Sequence, residues 1–232
     1  MTRRIDLAWP DPRPFADRSG RPIRLLAVSD APDPALEQAL NREAIGSIDG
    51  IVGCGDLEES WLNFLGDAFH VPVVFVRGNH DRGGAWRHGQ TMAPLALPSG
   101  HTDRLAGIAI GGLAWPGVDD SGNGRHPWLA WLDALGLARR IIVSRLAGRR
   151  EPVLVISHAP PEGVGDVATD PYHRGFGAYR WLLDRVRPPL WLHGHTTMAS
   201  VNELMVAEGP TSVVNVTGSV LVELRPPPSA AH

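Results

Sequence analysis

Apolar residues fall in short runs along this chain, each ending on glycine, proline or a polar cluster. The run IRLLAVS, Ile23–Ser29, reads as a buried strand broken by Asp30 and the prolines after it. Pro34 to Ala44 predicts a helix, with Asp33 as N-cap and proline tolerated in the first turn. Asp49–Cys54 predicts a strand, Glu58–Ala68 a helix and Val71–Val76 a third strand. That βαβαβ order implies a parallel sheet with helices packed on it. Gly78 to Gly100 is loop-rich, Leu105–Gly112 reads as strand, and a polar loop from Gly117 to Arg125 lies between Trp115 and Trp128. A helix follows from Pro127 to about Leu146, then a strand over Pro152–Ser157 and a polar loop over Gly163–Gly177. Tyr179–Val186 predicts a helix and Pro189–Leu192 a strand, and three β-like runs close the chain: Met198–Val206, Ser212–Val216 and Ser219–Leu224. Residues 1–22 read as a leader or extra edge strand, 23–225 as one domain and 226–232 as a frayed tail.

Composition narrows the function classes. Hydrophobic residues make up 43% of 232, enough for a sizeable core and too many for a disordered chain. Net charge is -3, so no field argues for nucleic acid or an anionic membrane. Cys54 is the single cysteine, which excludes an internal disulfide and fits a reducing cytosol. No apolar run reaches membrane-spanning length, and the N-terminus lacks the apolar stretch of a signal peptide, so a cytoplasmic protein is expected. Eight tryptophans stand against two tyrosines, an imbalance without a functional reading at this level. The sequence does not give the oligomeric state.

Polar residues at five strand ends carry the chemistry. Asp30 follows the first strand, Asp56 lies in GCGDLEE, Asn79 and His80 in RGNHD, His158 in ISHAPP and His195 in LHGHTT. Strand ends in α/β folds are where sites are built. Carboxylate, amide oxygen and imidazole together suit a divalent metal such as Mn, Fe or Zn. Gly55 and Gly78 precede candidate ligands, where a side chain would block a tight turn.

In this order the motifs resemble those of the calcineurin-like metallophosphoesterase superfamily, D-x-H, G-D-x-x-[DE], G-N-H-[DE], a lone His and G-H-x-H. The resemblance spans roughly Ile23 to Leu224. It implies two packed mixed β-sheets flanked by helices, and hydrolysis of a small phosphomonoester or phosphodiester by a metal-activated water or hydroxide. Asp56 would bridge two metals, Asn79, His158 and His195 would complete one of them, and Asp30 would belong to the other. His80 would stand beside the metals and protonate the leaving oxygen.

Two positions depart from the pattern: Pro32 and Thr197 replace family histidines that serve the metal held by Asp30. The complete site is therefore expected to hold Mn, Fe or Zn, and the depleted one to be weak and Mg-like, or empty. The alternative is a catalytically degenerate phosphate- or nucleotide-binding protein on the same fold. Arg82 and Arg174 are candidate phosphate contacts, and Asp81, His193 and His173 candidate outer-shell groups, His173 also a candidate replacement imidazole. The expected partner is a small phosphorylated substrate, with neither nucleic acid nor membrane.

Overall fold

The computed structural model describes residues 2–81, 96–117, 125–197 and 203–228. Two mixed sheets pack face to face. The first runs β1 (Arg3–Ala8), β11 (Gly218–Arg225), β2 (Ile23–Ser29), β3 (Gly50–Gly53), β4 (Val73–Phe75). The second runs β5 (His101–Leu105), β6 (Ile108–Leu113), β7 (Val153–Ser157), β8 (Leu190–His193), β10 (Thr211–Asn215), β9 (Met205–Glu208). Strands β2, β3 and β4 are parallel, as are β6, β7, β8 and β10; β2–β11, β5–β6 and β9–β10 pair antiparallel.

Alternation within the strands sets the layers. Leu25, Ala27 and Val52 of the first sheet share a core with Ile110, Leu154, Ile156 and Val214 of the second. Their neighbours Leu26, Val28 and Ile51 face the other way, onto Leu62 and Leu65 of α2 (Glu59–Phe69). On the second sheet, α3 (Pro127–Leu146) lies over β5 and β6 and packs against α4 (Gly177–Val186). The parallel order puts the C-terminal ends of β2, β3, β4, β7 and β8 at one edge of the sandwich. Trp115 N donates to the Arg77 carbonyl there at 2.8 Å, joining the two sheets.

The structure departs from the sequence expectations at three places. The helix expected from Pro34 to Ala44 is a 3-10 turn, Pro34–Glu37, followed by α1 (Ala39–Ile45), with Gln38 extended between them. Side chains accompany the break: Asn41 and Arg42 donate to the carbonyls of Ala35 and Leu36, which are satisfied without a continuous α-helix. Asp33 caps that turn through Ala35 N at 3.0 Å. The single strand expected over Leu105–Gly112 is a hairpin, because Ala106 and Gly107 take positive φ of 51 and 83, the geometry of a tight hairpin turn. Its first strand, HTDRL, is an exposed edge without an apolar signal. The strand expected from Met198 begins at Met205, and residues 198–202 lie outside the described residues. Arg3–Ala8 pairs in parallel with β11 and widens the first sheet.

Candidate metal centre

Three candidate residues sit in the left-handed backbone region: Asp30 at φ 66, Asp56 at 57 and His195 at 67. Such φ values are uncommon outside glycine and gather where a chain must turn sharply to aim a side chain. Each of the three lies within three residues of a strand's C-terminal end.

Asp30, Asp56 and His158 each present one ligand atom, and the three atoms lie within 4.8 Å of one another. His158 Nε2 stands 3.2 Å from Asp56 Oδ2 and 2.8 Å from Asn79 Oδ1. Its Nδ1–H donates to the Cys54 carbonyl at 2.8 Å, which fixes the ring with Nε2 toward the two oxygens. Burial alone would lower the His158 pKa, but the adjacent Asp56 carboxylate raises it to about 9. Burial in turn works to raise Asp56, and His158 outweighs it, holding that carboxyl below its ordinary range. Two oxygens and one imidazole nitrogen thus face a point that favours positive charge.

His195 stands beside this group, its ring centroid 4.9 Å from that of His158. Its Nε2–H donates to the Tyr172 carbonyl at 2.8 Å, so Nδ1 carries the lone pair. Burial, then the charge of His158, lowers its pKa to about 4. The backbone N–H of His195 donates to both Asp30 oxygens at 3.0 Å. Asp30 therefore does not cap the following turn; it is tied to the strand end of the opposite sheet.

His80 contributes its backbone N–H to Asp56 Oδ1 at 2.7 Å, while its side chain is 81% exposed with Nε2 4.0 Å from Asp56 Oδ2. Asp81 accepts from Asp56 N at 2.8 Å and Gly78 N at 2.7 Å, stitching two loops together. His193 is buried, donates to the Gly194 carbonyl and leaves Nε2 without a hydrogen-bond partner among the described residues; burial lowers its pKa to about 4. His173 holds Asp170 at 2.5 Å through Nδ1, and its ring centroid is 5.2 Å from that of His195. Arg174 pairs with Glu162. Arg82 lies outside the described residues. Pro32 and Thr197 are both exposed.

Several positioning groups escaped the sequence reading. The single O–H of Thr217 is shared between the Thr196 carbonyl at 2.8 Å and Asp30 Oδ2 at 3.1 Å, and Asn215 donates to the same carbonyl at 2.7 Å. The signal for them was two polar residues breaking the apolar VVNVTGS run. Trp115 is buried with its ring 4.8 Å from His195 and 6.0 Å from His158, a wall behind the imidazoles. Cys54 is buried and its thiol is pushed up by burial, as expected of an inert core cysteine.

These residues fit a divalent cation. The donors are oxygen and imidazole nitrogen, and the backbone around them is pared to glycine. A Cβ on Gly55 would lie 2.6 Å from His158 Nδ1, and one on Gly78 would clash with Asp56 Oδ1. Gly78→Ala should accordingly displace Asp56 and lower stability by about 1–3 kcal/mol, with a matching loss of metal; thermal unfolding with and without added Mn checks it.

The chain matches the profile of the calcineurin-like phosphoesterase family over residues 35–198, a span that includes Asp56, Asn79, His80, His158 and His195 and begins after Asp30. No curated protein matches it significantly. Among solved structures it resembles the protein TT1561 of Thermus thermophilus at 16% identity and TM-score 0.55, covering 85% of this chain and 90% of that one. It also resembles a dimetal phosphatase from Danio rerio at 13% identity and TM-score 0.51, covering 85% and 88%. Those likenesses carry the fold; the profile match carries the family, and the chain belongs to the calcineurin-like phosphoesterases, metal-dependent hydrolases of phosphate esters.

Proposed function

We propose that Asp56, Asn79, His158 and His195 hold one transition metal, Mn, Fe or Zn, and that the chain hydrolyses a small phosphomonoester or phosphodiester there. The observation that carries this reading is the convergence of Asp56 Oδ2 and Asn79 Oδ1 on His158 Nε2, 3.2 and 2.8 Å away. When bound, a divalent metal polarises the phosphoryl group and brings the pKa of water toward neutrality. The chain's own residues do the rest. Asp56 faces both sides of the centre, because a carboxylate has two oxygens to share. Asp30, held by His195 N and Thr217, supplies an oxygen to a second, weaker site. That site lacks imidazoles at 32 and 197 and suits Mg, unless His173 lends the missing nitrogen. In support, Asp170 anchors one ring nitrogen of His173 and the ring borders His195. His80, exposed at the mouth, gives a proton to the leaving oxygen. Arg174 and Arg82 are the candidate phosphate contacts, and a reducing cytoplasm suits the lone thiol of Cys54.

The test is hydrolysis of nitrophenyl phosphate and bis-nitrophenyl phosphate after loading with Mn, Fe, Zn or Mg separately. Turnover of one ester with a transition metal, abolished by a chelator and restored by metal, is expected. Inactivity toward both esters with every metal would overturn the reading.

A further inference from the structure

Helix α3 is apolar on two faces. One, with Ala130, Ala134, Leu137 and Ile141, is buried. The other carries Trp128, Leu132, Leu135, Val143 and Leu146, and the exposure there reaches 61% at Trp128, 59% at Leu132 and 82% at Leu146. Steps of three, four, seven and eight residues put these side chains on one stripe of a 20-residue helix, roughly 30 Å long. Trp131 lies at its edge, its ring 5.7 Å from Trp181 of α4. Scaled to roughly 200 Å² for a large side chain, the exposed portions come to on the order of 600 Å² of apolar surface. That approaches the roughly 800 Å² per partner of a standard interface and stands at the upper end of the roughly 300–600 Å² of the largest apolar patch on a typical monomer, a patch that is often functional.

We infer that this stripe is the contact between two copies of the chain, their α3 helices antiparallel about a twofold axis that crosses the exposed face at the level of residue 137. Isologous pairing puts the same surface on both sides. In this register Trp128 of one copy meets Leu146 of the other, and Leu132 meets Ile142, so bulky aromatic ends lie against aliphatic ones. Antiparallel helix dipoles also oppose favourably. Arg139 interrupts the stripe one residue pair from the axis; its stem packs on Leu135 of the other copy while its guanidinium reaches the rim.

An anionic bilayer is the rival occupant. Helices lying on bilayers carry cations along their polar edge. Here Arg139, Arg140 and Arg145 are confined to the C-terminal eight residues, and residues 127–138, the tryptophan end, carry no cation and one acid, Asp133.

Sedimentation of the full chain should give twice the 25.0 kDa monomer mass. Leu135→Glu combined with Leu146→Glu should give a monomer with unchanged circular dichroism. Trp128→Cys and Leu146→Cys chains, mixed, should cross-link to each other through a short bis-maleimide, while neither should cross-link to itself. Residues 128 and 128 of the two copies would lie roughly 27 Å apart, and the native Cys54 is buried. A monomeric wild type overturns the inference, and a monomer that floats with phosphatidylserine vesicles hands the stripe to the bilayer. A dimer that survives the double variant, or self-linking of either cysteine variant, overturns it equally.

Discussion

Replacing Asp56 with alanine is expected to strip the centre of its metal and take hydrolysis with it. The carboxylate meets His158 Nε2 at 3.2 Å and the His80 N–H at 2.7 Å, and the backbone N–H of the same residue donates to Asp81. Lewis-acid stabilisation is worth several kcal/mol, so kcat/KM should fall by about 10³ or more. Asp56→Asn separates charge from shape. It can still accept from His80 N, but it cannot neutralise a cation beside a buried imidazole. Asparagine should therefore keep the fold and still lose the metal. Metal content and kcat/KM of both variants decide the matter; an Asp56→Asn chain with wild-type metal and wild-type turnover would remove Asp56 from the centre.

The His80→Ala variant should behave in the opposite way, keeping its metal and losing rate. The structural bond from this residue to Asp56 is made by its backbone N–H, which alanine retains, while the imidazole is 81% exposed. Truncation thus removes a proton donor without disturbing the scaffold. The loss should be about 10²–10⁴. It should be largest for esters whose leaving group needs a proton and smaller for nitrophenyl esters, whose leaving group departs as a stable anion. If His80→Ala loses its metal, the residue is a ligand. If wild type and variant are equally inactive on a broad ester panel, the binding-protein reading replaces the enzyme.

Much of this architecture was legible because ligand-type residues follow buried strands. Asp30, Asp56, Asn79 and His158 each come at or just beyond the end of an apolar run, and the glycines between them mark where two loops must nearly touch. What escaped depends on contacts distant in sequence. Asp30 reads as a lone carboxylate at a strand end; only the fold brings His195 N and Thr217 to it across 165 and 187 residues. The break at Gln38 is accompanied by hydrogen bonds from the Asn41 and Arg42 side chains, which propensity does not see. Strand β5 is polar and exposed, so no periodicity announced it. The imbalance of tryptophan over tyrosine acquires a partial reason: Trp115 walls the imidazoles, and Trp128 and Trp131 belong to the exposed side of α3.

The central claim is that one centre is built to hold a transition metal tightly. Elemental analysis of purified protein, wild type beside His158→Ala, tests it most directly. About one tightly held Mn, Fe or Zn per wild-type chain is expected, lost in His158→Ala, with any second ion appearing only when Mg or another metal is supplied. Wild-type protein that retains no transition metal after loading and desalting, or a His158→Ala chain that retains as much as wild type, would contradict it.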